Sequence, residues 1–209
     1  MKNDVSFLMK DILNLYEHQS TFSPNLPLRG FLYFADLYRK VIGNQRDIYS
    51  SRLIPLPFPQ FVVFYNGKQN EPERQVLSMS DAYPEGCVKS EASLQCYAMV
   101  LNINLGSNAQ LMQKCTRLHE YAIFIAKVRE YMHTGKSIEE AVDLAVEECI
   151  RDGILADILR SNREEVRNML LTEYNEEAHI ENERRIASEE ALEKGREEGI
   201  IQGEQRGKI

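Results

Sequence analysis

Apolar and polar residues alternate loosely in Val5-Ser6-Phe7-Leu8-Met9 and again from Ile12 to Gln19, with β-branched and aromatic members in both segments. That pattern, at strand length, predicts two strands. Lys10-Asp11 between them is short enough for a tight turn, although it lacks the glycine that primed hairpin turns favour. Leu28, Phe31, Leu32, Ala35, Tyr38 and Ile42 then fall on one helical face. Asn25 can cap this helix, Pro27 suits its first turn, and Gly43-Asn44 ends it. Pro55, Pro57 and Pro59 form an extended lead-in to Phe61-Val62-Val63-Phe64-Tyr65, which is apolar on both faces and predicts a central buried strand. Asn66-Gly67 is a turn signal. Gln75 to Met79 reads as a short strand, and Leu94 to Leu105 as a second buried one.

From Asn108 the period becomes helical. Leu111, Cys115, Leu118, Ala122, Ile125 and Ala126 form a stripe ending near Gly135. Ser137 with Glu140 is a capping box, opening a helix with Ile138, Ala141, Val142 and Ala145 inward. Gly153 breaks it. Another helix begins near Ile154 and restarts at Asn162 with Glu165. The expected fold is α/β, with a core over residues 1–135, a helical region over 136–188 and a charged tail over 189–209. In the tail, Gly195, Gly199, Gly203 and Gly207 alternate with Arg, Glu and Gln. Such a segment is a solvated, marginal helix or a disordered tail, since each helical Gly costs ~1 kcal/mol relative to Ala.

Composition adds three constraints. With 209 residues, 43% hydrophobic and 27% charged, the chain can build a sizeable core. No run of 18 apolar residues exists, so no membrane span is expected. The start, with Lys2, Asp4 and an apolar run that ends at Lys10-Asp11, does not read as a secretory signal. Cys87, Cys96, Cys115 and Cys149 are too scattered for a zinc ribbon or a disulfide framework, which suits a reducing cytoplasm. The net charge of −7 is uneven. Residues 1–138 hold 15 Lys/Arg against 12 Asp/Glu (+3), and residues 139–209 hold 10 against 20 (−10). The acidity therefore does not exclude a polyanionic partner for the first two thirds.

The residues with chemical content are Asp4, Glu17 and Gln19. If Lys10-Asp11 is a two-residue turn, Met9 faces Ile12, Leu8 faces Leu13 and Asp4 faces Glu17. Gln19 shares that face, because strand side chains repeat every two residues. The acidic pair then sits exposed at the open end of an apolar surface formed by Leu13 and Leu15. Two opposed carboxylates repel, and a divalent cation such as Mg²⁺ or Mn²⁺ between them removes the repulsion. The alternative is that both carboxylates simply face water. Arg29, near a helix N-terminus, could reach a phosphate or serve packing. His18 points away from Glu17 and Gln19, so it is expected to be structural, as are His119, His133 and His179. No P-loop or dinucleotide fingerprint is present.

The segments Lys2-Asn3-Asp4-Val5-Ser6-Phe7-Leu8, Leu15-Tyr16-Glu17-His18-Gln19-Ser20-Thr21 and Pro24-Asn25-Leu26-Pro27-Leu28-Arg29 resemble the Rpn family of recombination-promoting nucleases and putative transposases. The likeness continues through Pro59 to Gly67, Leu101-Asn102-Ile103-Asn104, Ile154-Leu155-Ala156-Asp157, Leu171-Thr172-Glu173-Tyr174-Asn175 and the Glu/Arg/Gly tail. It implies a PD-(D/E)xK nuclease, with a restriction-endonuclease-like mixed sheet flanked by helices. Asp4 and Glu17 would be metal ligands, and Gln19 would stand where Lys is usual. Gln cannot deprotonate water; at most it orients a water or a phosphate oxygen. The implied activity is Mg²⁺- or Mn²⁺-dependent hydrolysis of DNA phosphodiesters. Family members usually begin upstream, with a helix carrying another acidic residue and a first strand. The expectation is therefore of a truncated version, with one metal ligand fewer and an open sheet edge that invites self-association. The competing expectation is an inactive remnant that acts as a protein-association module.

Overall fold

The computed structural model describes residues 5–43, 48–175, 186 and 188. Asp4 and the tail 189–209 lie outside the described residues. The chain divides into two compact units, Met1–Lys127 and Val128–Ile209.

The first unit is α/β. Its five strands are β1 (Val5–Met9), β2 (Ile12–Gln19), β3 (Phe58–Tyr65), β4 (Arg74–Ser78) and β5 (Tyr97–Asn102). They lie in the order β1-β2-β3-β5-β4. The β1–β2 hairpin is antiparallel, with Met9 opposite Ile12 and Leu8 opposite Leu13, as the sequence predicts. Lys10 makes the turn at φ +55° without a glycine. β2, β3 and β5 are parallel neighbours, and β4 closes the far edge antiparallel to β5. Such a mixed sheet needs a crossover between β2 and β3, which helix α1 (Leu26–Ile42) supplies.

Alternation assigns the two faces. Leu13, Leu15, Phe61, Val63, Tyr65, Ala98 and Val100 form one buried cluster with Leu26, Tyr33 and Phe34 of α1. On the other face, Ile103 and Phe64 pack with Met112, Leu118, Tyr121 and Ala122. These come from α2 (Ala109–Lys114) and α3 (Thr116–His133). Pro59 is tolerated within β3 because pairing of β3 to β5 starts only at Val62.

Four features differ from the sequence pattern. The buried face of α1 carries Leu26, Gly30, Tyr33 and Phe34, whereas Leu28 and Leu32 stay 48% and 45% exposed. The helix is apolar on more than one side, and periodicity alone does not choose between the sides. Gly30 does: a Cβ there would collide with the Phe61 ring, so the helix docks by its glycine side. The second buried strand is shorter than its apolar run, with Leu94 and Leu105 exposed. The stripe from Leu111 to Ala126 is two helices, broken at an exposed Cys115 whose backbone leaves helical geometry at φ −129°, ψ 85°. Asn66-Gly67 closes no hairpin, since β3 pairs with β2 and β5. Gly67 is required by the close approach of Ser20 and Tyr65.

In the second unit, α4 (Ile138–Asp152) starts at Ser137, whose hydroxyl accepts the Glu140 N–H at 3.2 Å, and stops at Gly153 with φ +77°. Ala141, Val142, Ala145, Val146 and Cys149 form its buried stripe. α5 (Ala156–Ser161) follows, then helical residues 163–175. Arg163 and Arg167 of that last segment pair with Glu147 and Asp143 of α4 at 3.0 and 3.4 Å. No described helix is long and apolar enough to cross a membrane.

Two outcomes test this packing. Gly30→Ala is expected to lower stability by about 1–3 kcal/mol, because the Phe61 ring, packed edge-to-face on Phe34, has to move; urea denaturation reads it. The Tyr38 hydroxyl donates to the Pro57 carbonyl at 2.8 Å, and burial raises its pKa above the ordinary value. The fold therefore prefers the neutral phenol. Its contribution is complete below the unfolded tyrosine value of about 10 and falls as pH rises beyond it. Tyr38→Phe is expected to cost about 1 kcal/mol at pH 7 and to flatten the stability profile above pH ~10, measured by denaturation in parallel with the parent.

Candidate functional site

The site is built at the C-terminal end of β2. Leu13, Leu15, Glu17 and Gln19 share the face covered by α1, through the two-residue period of the strand. The first two are core. Glu17 is also buried, at 3% exposure, and Gln19 is half-buried. A lone ionised carboxylate at such burial is costly, so it needs charge and hydrogen-bond partners. Arg29, in the first turns of α1, provides the charge. Its Nη2 donates to Glu17 Oε1, and its Nη1 donates to Gln19 Oε1 at 3.4 Å. Gln19 Nε2 donates to the same Glu17 oxygen at 2.8 Å. The three side chains form a closed ring of contacts that joins strand to helix.

The structure therefore brings together Glu17, Gln19 and Arg29. Asp4, the expected second carboxylate, lies outside the described residues. The expectation that the acidic site is exposed does not hold for Glu17. The reason is tertiary: α1 crosses over that end of β2 and brings a guanidinium to it. Arg29 is the partner of Glu17, with 30% of its side chain still exposed.

His18 points to the opposite face, as alternation requires. Its Nε2 lies 3.1 Å from the Tyr121 hydroxyl, which accepts from Asn66 Nδ2 at 3.2 Å. This is a packing contact between sheet and α3. His119 and His133 lie in α3, and His179 lies outside the described residues.

Asparagines anchor the neighbouring strand ends, a role that their residue type alone did not disclose. Asn104 Nδ2 donates to the Gly67 carbonyl at 3.1 Å and to Asn102 Oδ1 at 2.9 Å. Asn102 Nδ2 donates to the Glu71 carbonyl at 2.8 Å, and Asn108 donates to the carbonyls of Asn102 and Glu73. These bonds tie down the ends of β3 and β5 beside the end of β2. The available signal was the three asparagines, Asn102, Asn104 and Asn108, clustered where the second apolar run ends.

Oxygen is the only donor type that Glu17 and Gln19 offer, which suits a hard divalent cation and disfavours a thiolate-seeking one. Among the described residues no three His, Cys, Asp or Glu side chains converge as a ready cage. Comparison with protein-family models, curated proteins and solved structures finds no match.

The geometry makes the pair asymmetric. Arg29→Met removes the guanidinium from a buried carboxylate and is expected to cost about 3 kcal/mol. Glu17→Gln leaves a guanidinium that can still reach water, and is expected to cost only about 1 kcal/mol. The double variant should be more stable than Arg29→Met alone. Equilibrium urea unfolding of the three variants checks this order.

Proposed function

We propose that this chain is a metal-dependent DNA endonuclease with a restriction-endonuclease-like core, hydrolysing phosphodiester bonds in recombination or mobile-element biology. The observation that carries the reading is the buried Glu17 carboxylate at a strand end, with Gln19 beside it on the same face and a guanidinium in contact with both. Carboxylate, amide and guanidinium at one spot are the groups needed to hold a cation and to receive a phosphate. The β1–β2 hairpin has the two-residue turn, with Met9 opposite Ile12 and Leu8 opposite Leu13, on which the pairing of Asp4 with Glu17 is argued, and a mixed sheet with a helix crossover on the site face is in keeping with this reading.

In this reading Asp4 and Glu17 hold Mg²⁺ or Mn²⁺. The bound cation supplies charge to a phosphodiester oxygen and makes water a better nucleophile at neutral pH. Gln19 orients by hydrogen bonding, through an amide that neither gains nor loses a proton. Leu13 and Leu15 exclude water from the inner side of the carboxylate. Arg29 contributes positive charge on the side open to solvent.

A second reading, a protein-association module, is supported by a different observation. β1 is an edge strand, and its Val5, Phe7, Leu8 and Met9 side chains are exposed. Apolar edge strands template pairing with another chain.

One experiment addresses both readings. Supercoiled plasmid is incubated with the chain in Mg²⁺ or Mn²⁺, with and without EDTA, and its mass is followed by light scattering. The nuclease reading expects nicking that EDTA stops and that Asp4→Asn or Glu17→Gln reduces by a factor of about 100 or more, as for loss of a group acting on the transition state. Intact plasmid together with a stable dimer favours the association module.

A further inference from the structure

We propose that the uncovered part of the sheet, on the side opposite α1, is the surface on which two copies of this chain associate face to face. This surface is separate from the Glu17 site, and the inference is independent of the metal-dependent reading.

Three observations lead to it. First, the sheet is covered unevenly. α1 closes one face. On the other, α2 and α3 reach the C-terminal strand ends, where Phe64 joins their cluster and His18 meets Tyr121. The strand register turns the remaining positions of that face outward. Val5, Phe7 and Met9 of β1, Phe58 of β3, Val76 of β4 and Tyr97 of β5 are 38–64% exposed. Parallel strands ordinarily have both faces covered. With strands about 4.8 Å apart and residues about 3.3 Å apart, the open surface measures roughly 400–500 Å². Patches of that size on a monomer are often functional.

Second, the surface is uncharged and rich in aromatic residues. Among the described residues, the positions on this side within 5–9, 12–16, 58–62, 76–78 and 97–99 all lack charge, and Arg74 comes only at the margin. Aromatic residues and Met with few charges are the make-up of an interface core. Tyr16 is held edge-to-face between Phe7 and Phe64, with ring centroids 5.4 and 5.7 Å away. These rings are therefore ordered before any partner arrives, which lowers the cost of binding.

Third, these features select a second copy as the occupant. A charged partner surface would bury its charges without counter-ions. A nucleic acid needs cations for its phosphates, and this face offers Arg74 at its margin. The C-terminal stretch 176–209 has six large apolar residues spread among charged ones, too few to cover the face. The apolar stripe of α4 is already buried. An identical face is uncharged, equal in size and present on every copy. Pairing about a two-fold axis stacks the two sheets about 10 Å apart. Two such patches bury about 1,000 Å², the lower end for a specific interface, so the dimer is reversible and micromolar.

Sedimentation equilibrium of the full chain over a concentration series is expected to show monomer and dimer in exchange. Phe58→Lys, Val76→Lys and Tyr97→Lys each bury an unpaired ammonium in the joint, and each is expected to weaken the dimer about tenfold or more. All three side chains are exposed in the single chain, so the melting temperature of dilute protein should stay near the parent's. Should a variant not fold, the parent carries the test. The methyl resonances of Met9 and Met99 are expected to shift on concentration, while that of Met169, exposed in the second unit, stays in place.

A dimer weakened by the lysine substitutions, or Met9 and Met99 methyls that move with concentration while Met169 does not, supports the proposal. A monomer at every concentration overturns it. A dimer that tolerates all three substitutions, with Met9 and Met99 unmoved, also overturns it and leaves the β1 edge as the join. Monomeric protein that binds an oligothymidine, and loses it when Phe58→Ala and Tyr97→Ala are combined, overturns it in favour of base stacking.

Discussion

A carboxylate that is almost wholly removed from water has to be answered by charge, and this constraint organises the site end of the first unit. Glu17 lies in a strand flanked on both sides, on a face closed by α1. Its position is tenable because Arg29 reaches it from that helix and Gln19 reaches it from two residues along the strand. The same contacts fix the distance between β2 and α1 at the point where the chain crosses between them. Electrostatics and topology thus constrain each other: the crossover brings the guanidinium, and the guanidinium makes the buried carboxylate compatible with the crossover.

The packing below the site follows from this placement. One cluster on the α1 face joins Leu13, Leu15, Phe61, Val63 and Val100, and it leaves no room for a side chain at Gly30. On the opposite face, α2 and α3 cover Phe64 and Ile103, and the Asn66–Tyr121–His18 chain of hydrogen bonds ties the sheet to α3. Asn102, Asn104 and Asn108 hold the strand ends in register. A site at the C-terminal ends of parallel strands is the usual location for ligands in open α/β sheets, because the strand carbonyl ends and crossover loops converge there. The rigidity of these loops matters to any chemistry at Glu17, since a displacement of about 1 Å can cost about a hundredfold in rate.

How much of this was legible beforehand differs by feature. The β1–β2 hairpin was, down to its register, because two strand-length segments separated by Lys10-Asp11 admit few alternatives. Ser137 and Glu140, with Gly153, marked both ends of α4, since capping chemistry is local. The common face of Glu17 and Gln19 followed from strand alternation alone. The break at Cys115 was not legible, because the apolar stripe continues across it and only the backbone leaves helical geometry there. The docking side of α1 was hidden as well. Leu28 and Leu32 are as apolar as Leu26 and Tyr33, and the choice depended on a glycine meeting Phe61, a residue 31 positions away.

Local patterning was enough to place most strands and helices, the residues that share a strand face, and the caps and turns that end an element. These depend on interactions spanning a few residues. Only the folded chain makes Glu17 buried rather than exposed, Arg29 its partner rather than a free cation, and the asparagines at the end of β5 anchors. Each of these depends on groups brought together by the fold across 10 to 40 positions of chain. Burial and ion pairing are properties of that assembled neighbourhood and are not written in any single segment.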